Sequence, residues 1–162
     1  MTTGFARVPA AGRFLIANAT LPEALVESDA ALPSRGDGLV GTEIEIDGAT
    51  IAAIRAPTDP ATGGLPVLDM DGGMAWPGFV DMHTHIDKGH IWPRKPNPDG
   101  TFLGALEATR SDRAANWSAA DLARRMDFSL RCAHAHGTAL LRTHLDSTAP
   151  QHAISWPVFS EM

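Results

Sequence analysis

Residues 77–88 read Pro77-Gly78-Phe79-Val80-Asp81-Met82-His83-Thr84-His85-Ile86-Asp87-Lys88. The run from Met74 to Val80 is almost wholly apolar, which predicts a strand buried on both faces, as in a parallel sheet. Residues two apart in a strand point the same way, so His83 and His85 project to one side at its C-terminal end. Two neutral imidazoles on a rigid element suit Zn²⁺ or Fe²⁺. In a (β/α)₈ barrel that end of a strand faces the catalytic mouth.

His-x-His spacing alone is weak support for a metal site, and it recurs in His134-Ala135-His136. The second pair falls on a predicted helix, where residues two apart lie about 200° apart around the axis and cannot share one ion. It reads as structural or surface. The first pair follows a buried strand and a Pro-Gly, the setting a metal site needs.

Downstream, Ser118 is placed to cap a helix over 119–135, with Asp121 three residues on as in a capping box. Leu122, Met126, Leu130 and Ala133 repeat on one face, and Gly137 suits the C′ position. Thr138 to Leu145 then reads as a second buried strand, and an amphipathic start follows near 155–162. Residues 86–117 show no core periodicity beyond a short helix near 103–110. Strand, loop, helix, strand and helix start form the opening of an alternating α/β protein.

Upstream the pattern is β. A short strand is expected over 13–19, then a long loop over 20–41, rich in Pro, Gly, Ser and Asp. Residues 43–54 predict an antiparallel hairpin with one apolar face, Asp47-Gly48 being the positive-φ pair of a type I′ turn. A loop over 56–66 leads to a strand at 67–71, closed by Gly72-Gly73. Two domains follow: 1–76, a small β module, and 77–162, the opening of the α/β part.

Bulk properties bound the function. The 162 residues are 44% hydrophobic and 20% charged, with a formal net charge of -6, an ordinary globular composition. An acidic chain without a basic run argues against nucleic acid or an anionic membrane as partner. No apolar run nears the ~20 residues a membrane helix needs. The single cysteine, Cys132, cannot form an internal disulfide and reads as a small buried residue in a reducing compartment. The cytoplasm is the expected location.

The run 77–87 resembles the first barrel strand of the amidohydrolase superfamily, with its Pro-Gly-Phe-Val-Asp-x-His-x-His signature. Asp99-Gly100-Thr101-Phe102-Leu103-Gly104-Ala105-Leu106-Glu107 and the stretch Ala135 to Asp146 resemble corresponding parts of bacterial cytosine deaminases. The resemblance implies a metal-dependent hydrolase (β/α)₈ barrel preceded by part of a small β-sandwich, residues 1–76 supplying the latter. It implies one divalent ion, Fe²⁺ or Zn²⁺, held by His83 and His85 together with ligands from later strands. Phe102 would meet the substrate through its main chain, while Asp87, His144 and Asp146 would line or support the site. The sequence departs from the enterobacterial pattern in reading Thr-Phe-Leu-Gly for Thr-Leu-Phe-Glu, and Lys88 replaces a Thr.

A complete barrel takes ~250 residues, so residues 77–162 are expected to hold only its first βαβα portion, the acid/base Glu lying beyond Met162. The implied activity is hydrolytic deamination of a cyclic pyrimidine such as cytosine, by a homo-oligomeric parent of which this chain alone is inactive. Two alternatives stay open: an amidohydrolase acting on another cyclic amide or a triazine, and a non-catalytic fragment or binding module. Trp76, Trp92, Trp117 and Trp156 read as core or rim packing, Asp81 as a strand-end support, and Lys88 as a solvated charge.

Overall fold

The computed structural model describes residues 7–10, 12–27, 31–58 and 64–162. Parts of the expected tail over 1–12 and of the loops at 20–41 and 56–66 lie outside them. The chain divides into two compact units, Met1–Pro77 and Gly78–Met162.

The first unit is a mixed sheet. Its strands are β1 (Arg13–Pro22), β2 (Ser34–Gly36), β3 (Leu39–Asp47), β4 (Thr50–Arg55) and β5 (Val67–Asp69), in the order β2-β3-β1-β5 with β4 also on β3. β1 runs antiparallel to β3 and parallel to β5. Ala19, Leu21, Val40 and Ile44 form the buried core, joined by Ile16, Ile46 and Ile54. The long loop expected over 20–41 is corrected. β1 continues to Pro22, a 3-10 turn spans Glu23–Leu25, β2 spans Ser34–Gly36 and β3 starts at Leu39. Pairing along β3 overrides the turn-forming composition there.

The hairpin forms, with its turn one residue later than expected. Asp47 pairs with Thr50, so Gly48 and Ala49 are the central residues. Gly48 has φ 60° and Ala49 is not among the positive-φ residues, which fits a glycine-first type II′ turn rather than type I′. Ile46 pairs with Ile51 and Glu45 with Ala53, so the register shifts between them. The other face is not simply polar and wet, because Glu43 and Glu45 are buried. Arg55 and Arg13 donate to Glu45, and the Thr58 N–H donates to Glu43. These bonds hold the Glu45 carboxyl below its ordinary pKa, the Arg55 bond contributing most.

The second unit opens with β6 (Phe79–Thr84), followed by α1 (Phe102–Asn116), α2 (Ala119–Ala135), β7 (Thr138–Thr143) and α3 (His152–Ser160). β6 and β7 pair in parallel, Phe79 against Thr138 and Thr84 against Thr143. Gly78 permits this approach, since a Cβ there would lie 2.5 Å from the Ala139 Cβ. The expectation of a strand over 74–80 buried on both faces is corrected: the strand runs from 79 to 84, and Val80 and Met82 are exposed. The alternation explains it. Leu141 packs on the helical core, whereas Leu140 faces the opposite way beside Val80 with no layer over it among the described residues.

Helix α2 matches its expected limits. Ser118 Oγ accepts from the Asp121 N–H, and Gly137 takes φ 84° just past the end. Leu122 and Met126 are fully buried and pack with Ile86, Trp117 and Val158. The short helix at 103–110 is corrected to a full α1. Its buried positions are Gly104, Ala108 and Asp112, four residues apart, and two small residues and a carboxylate leave no apolar stripe to read. Cys132 is free and half-buried. No helix among the described residues is long and apolar enough to cross a membrane.

Candidate functional site

His83 ends near the close of β6, His85 lies one residue past its last strand residue, and His144 lies one residue past β7. The His144 N–H donates 2.8 Å to the Thr84 carbonyl, which carries the parallel pairing one step beyond the strands. Three imidazoles thereby gather at one end of the β6–β7 pair. Ring centroids lie 5.4 Å apart for His83 and His85, 4.6 Å for His83 and His144, and 5.5 Å for His85 and His144. Two imidazoles on one tetrahedral ion, each at ~2.1 Å, have centroids roughly 5 Å apart, so the first pair has the right spacing.

Polar satisfaction gives a second test of fit. His85 Nδ1 and Asp87 Oδ1 are buried without a hydrogen-bond partner among the described residues. Burial pushes the His85 pKa down, with nearby Lys88 adding to the effect, and the neutral imidazole is the form that ligates a metal. The imidazole set therefore suits a borderline divalent cation. Among the described residues, no group of three or more His, Cys, Asp or Glu is placed to hold a metal ion, so the fit rests on the His83–His85 pair.

The surrounding residues are cross-linked. Asp87 is fully buried, its Oδ2 accepts 2.7 Å from the Asp146 N–H, and burial raises its pKa. The Asp146 carboxylate takes Lys88 Nζ at 2.6 Å and Arg113 Nη1 at 2.5 Å. Lys88 is thus half-buried and paired, a correction to the solvated charge expected of it. Asp81 Oδ1 accepts from the His83 N–H at 3.1 Å, as a strand-end support does. Phe102 is the first residue of α1 and its side chain is exposed. On α2, His134 lies in the last turn and His136 is the C-cap, its Nδ1 2.7 Å from the Cys132 carbonyl. Trp117 alone of the four tryptophans is buried.

Sequence reasoning missed an ionic cluster built on two buried carboxylates beside this site. Arg94 binds Asp112 at 2.8 Å and Asp121 at 2.6 Å, and Arg125 binds Asp121 at 2.9 Å. Asp112 also accepts from Trp117 Nε1 and Asn116 Nδ2, both at 2.8 Å. Asp121 was expected in a capping box, but its carboxylate serves these arginines. The signal available was the i, i+4 pair Asp121 and Arg125 on α2, with Trp117 just ahead of that helix.

No protein-family model matches the chain. It is 55% identical over 163 residues to a pterin deaminase of Rhizobium rhizogenes, a match covering 100% of this chain and 36% of that protein. An adenine deaminase of Serratia proteamaculans is 33% identical over 76 residues, 46% of this chain and 13% of that one. Among solved structures, N-isopropylammelide isopropylaminohydrolase from Burkholderia multivorans has TM-score 0.62 at 25% identity, over 93% of this chain and 34% of that one. The chain belongs to the amidohydrolase superfamily. A 5-methylcytosine deaminase from Klebsiella pneumoniae, liganded with 5-fluorocytosine, shares the fold, with TM-score 0.66 at 23% identity over 91% of this chain and 32% of that one. The chain spans about a third of the length of these superfamily relatives.

Proposed function

We propose that this chain provides the opening of a metal-dependent hydrolytic deaminase, with His83 and His85 as two of the ligands of one divalent ion, Zn²⁺ or Fe²⁺. The observation that carries the reading is the convergence of His83, His85 and His144 at the C-terminal end of a parallel strand pair. In this reading residues 1–76 are part of a small β-sandwich domain and 77–162 the first βαβα portion of a barrel. Asp87, His144 and Asp146 line or support the site, and Phe102 meets the substrate through its main chain. When bound, the ion supplies a Lewis-acid centre that makes water a competent nucleophile near neutral pH. His83 and His85 hold it, and Asp87 and Asp146 fix the backbone around it by their mutual hydrogen bond.

The reaction replaces an amino group on a ring carbon by oxygen from water and releases ammonia. The ring is proposed to be a 2-amino-4-oxopyrimidine of the pterin type, on the strength of the identity to a pterin deaminase along the whole chain. Cytosine is the second reading, favoured by the stretch Asp99 to Glu107 and the fold shared with a 5-methylcytosine deaminase. A cytoplasmic homo-oligomer with no nucleic-acid or membrane partner completes the proposal. The test is ammonia release from pterin and from cytosine by a protein carrying this chain together with the remainder of its relatives' length, with and without chelator. Chelator-sensitive release from pterin is expected. Release from neither ring, or release indifferent to chelator, would overturn the proposal.

A further inference from the structure

Arg125 sits on α2, outside the imidazole cluster, with 6% of its surface exposed. Its Nη1 donates to the Asp87 carbonyl and, at 3.2 Å, to the Gly89 carbonyl. Its Nε donates to Asp121 Oδ2 at 2.9 Å, and Arg94 holds Asp121 from the other side. The guanidinium also lies 4.8 Å from the centre of the Trp117 ring. Stacking and the Asp121 bond set the plane of the fork, and the fork then aims Nη1 at two peptide carbonyls flanking Lys88.

The same helix face grips the rest of the 86–90 turn. Ile86 packs on Leu122 and Met126. A Cβ on Gly89 would stand 3.5 Å from Ser129 Oγ. His90 takes φ 64° and sets its ring edge-on to Phe128 with centroids 4.7 Å apart. Arg125 Nη2 is buried without a hydrogen-bond partner among the described residues, so Nε and Nη1 alone fix the fork.

We propose that Arg125 is a positioning residue of the imidazole site: it clamps the 86–90 turn to α2 and thereby sets the direction of His85 and the place of Asp87. This rests on the metal reading above, because it gives the clamp its purpose. Lysine offers one nitrogen on a flexible stem and cannot bridge Asp121 and both carbonyls.

The test follows the histidine Cε1–H resonances of the 162-residue chain by NMR, first metal-free and then during titration with Zn²⁺, in wild type, Arg125→Lys and Arg125→Met. Far-UV circular dichroism checks the fold of each. Expected is a displaced or broadened His85 resonance in metal-free Arg125→Lys and Arg125→Met, and a Zn²⁺ affinity at least fivefold weaker than wild type. His85 resonances unchanged in a folded variant would overturn the proposal, as would loss of the fold in both variants, which would make Arg125 merely structural. If wild-type His83 and His85 ignore Zn²⁺, the metal reading fails separately, while the metal-free His85 resonance still decides whether Arg125 positions it.

Discussion

The buried Asp87 carboxylate accepts a 2.7 Å hydrogen bond from the backbone N–H of Asp146, tying the turn after β6 to the segment after β7. The two residues stand 59 positions apart. The bond is charge-assisted and shielded from water, the circumstance in which one hydrogen bond counts most. Asp87→Ala should therefore cost about 1.5–3 kcal/mol, and Asp87→Asn, whose amide oxygen still accepts, less. Urea unfolding of the three proteins checks this; an unchanged midpoint for Asp87→Ala would remove the bond from the account.

Acid should weaken the second unit in a defined window. The Arg94 bond, reinforced by Arg125, holds Asp121 at about 2, and Asp112 is likewise lowered by Arg94, Trp117 and Asn116 against its own burial. Carboxyls with folded-state pKa values below the unfolded one stabilise the fold above pH ~4, and that contribution is lost as pH falls towards 2. For Asp121, whose side chain is 10% exposed, the linkage is worth about 2 kcal/mol. Melting temperatures at pH 6, 4 and 2.5 should fall most between the last two, and Asp121→Asn should flatten that step.

Gly78→Ala should destabilise the strand pair. The new methyl would meet the Ala139 Cβ at 2.5 Å, which forces the backbones of β6 and β7 apart at a cost of about 1–3 kcal/mol. The double variant Gly78→Ala, Ala139→Gly should recover part of this by moving the missing methyl across the pair. Thermal melts of the single and double variants decide; equal losses in both would mean the contact is not the cause.

Within the proposed enzyme, His83→Ala and His85→Ala should each lower turnover by at least about a hundredfold, since a lost ligand costs more than the 10–100-fold of a supporting residue. His134→Ala, in the last turn of α2, should stay near wild type. Metal content measured beside turnover separates loss of the ion from loss of the fold. Full activity in a His83→Ala, His85→Ala double variant would end the metal reading.

What could be read from the chain alone was whatever depends on neighbours in sequence. Ser118, the Leu122–Met126 spacing and Gly137 specify α2 locally, through a cap, an apolar stripe and a left-handed stop. The His83–His85 pair belongs to the same class, because the period of two in a strand is a local geometry, whereas the strand itself runs over 79–84 and not over the apolar 74–80. The tertiary structure alone decided what depends on partners far along the chain. It turned 20–22 and 39–41 into strand by pairing them with each other, lengthened α1 around a buried Asp112, and brought His144 within 4.6 Å of His83. It also gathered Arg94 and Arg125 around the buried carboxylates of Asp112 and Asp121. The physical reason is the same in each case: strand pairing and the burial of most polar groups depend on partners in other elements, and local spacing carries no record of those partners.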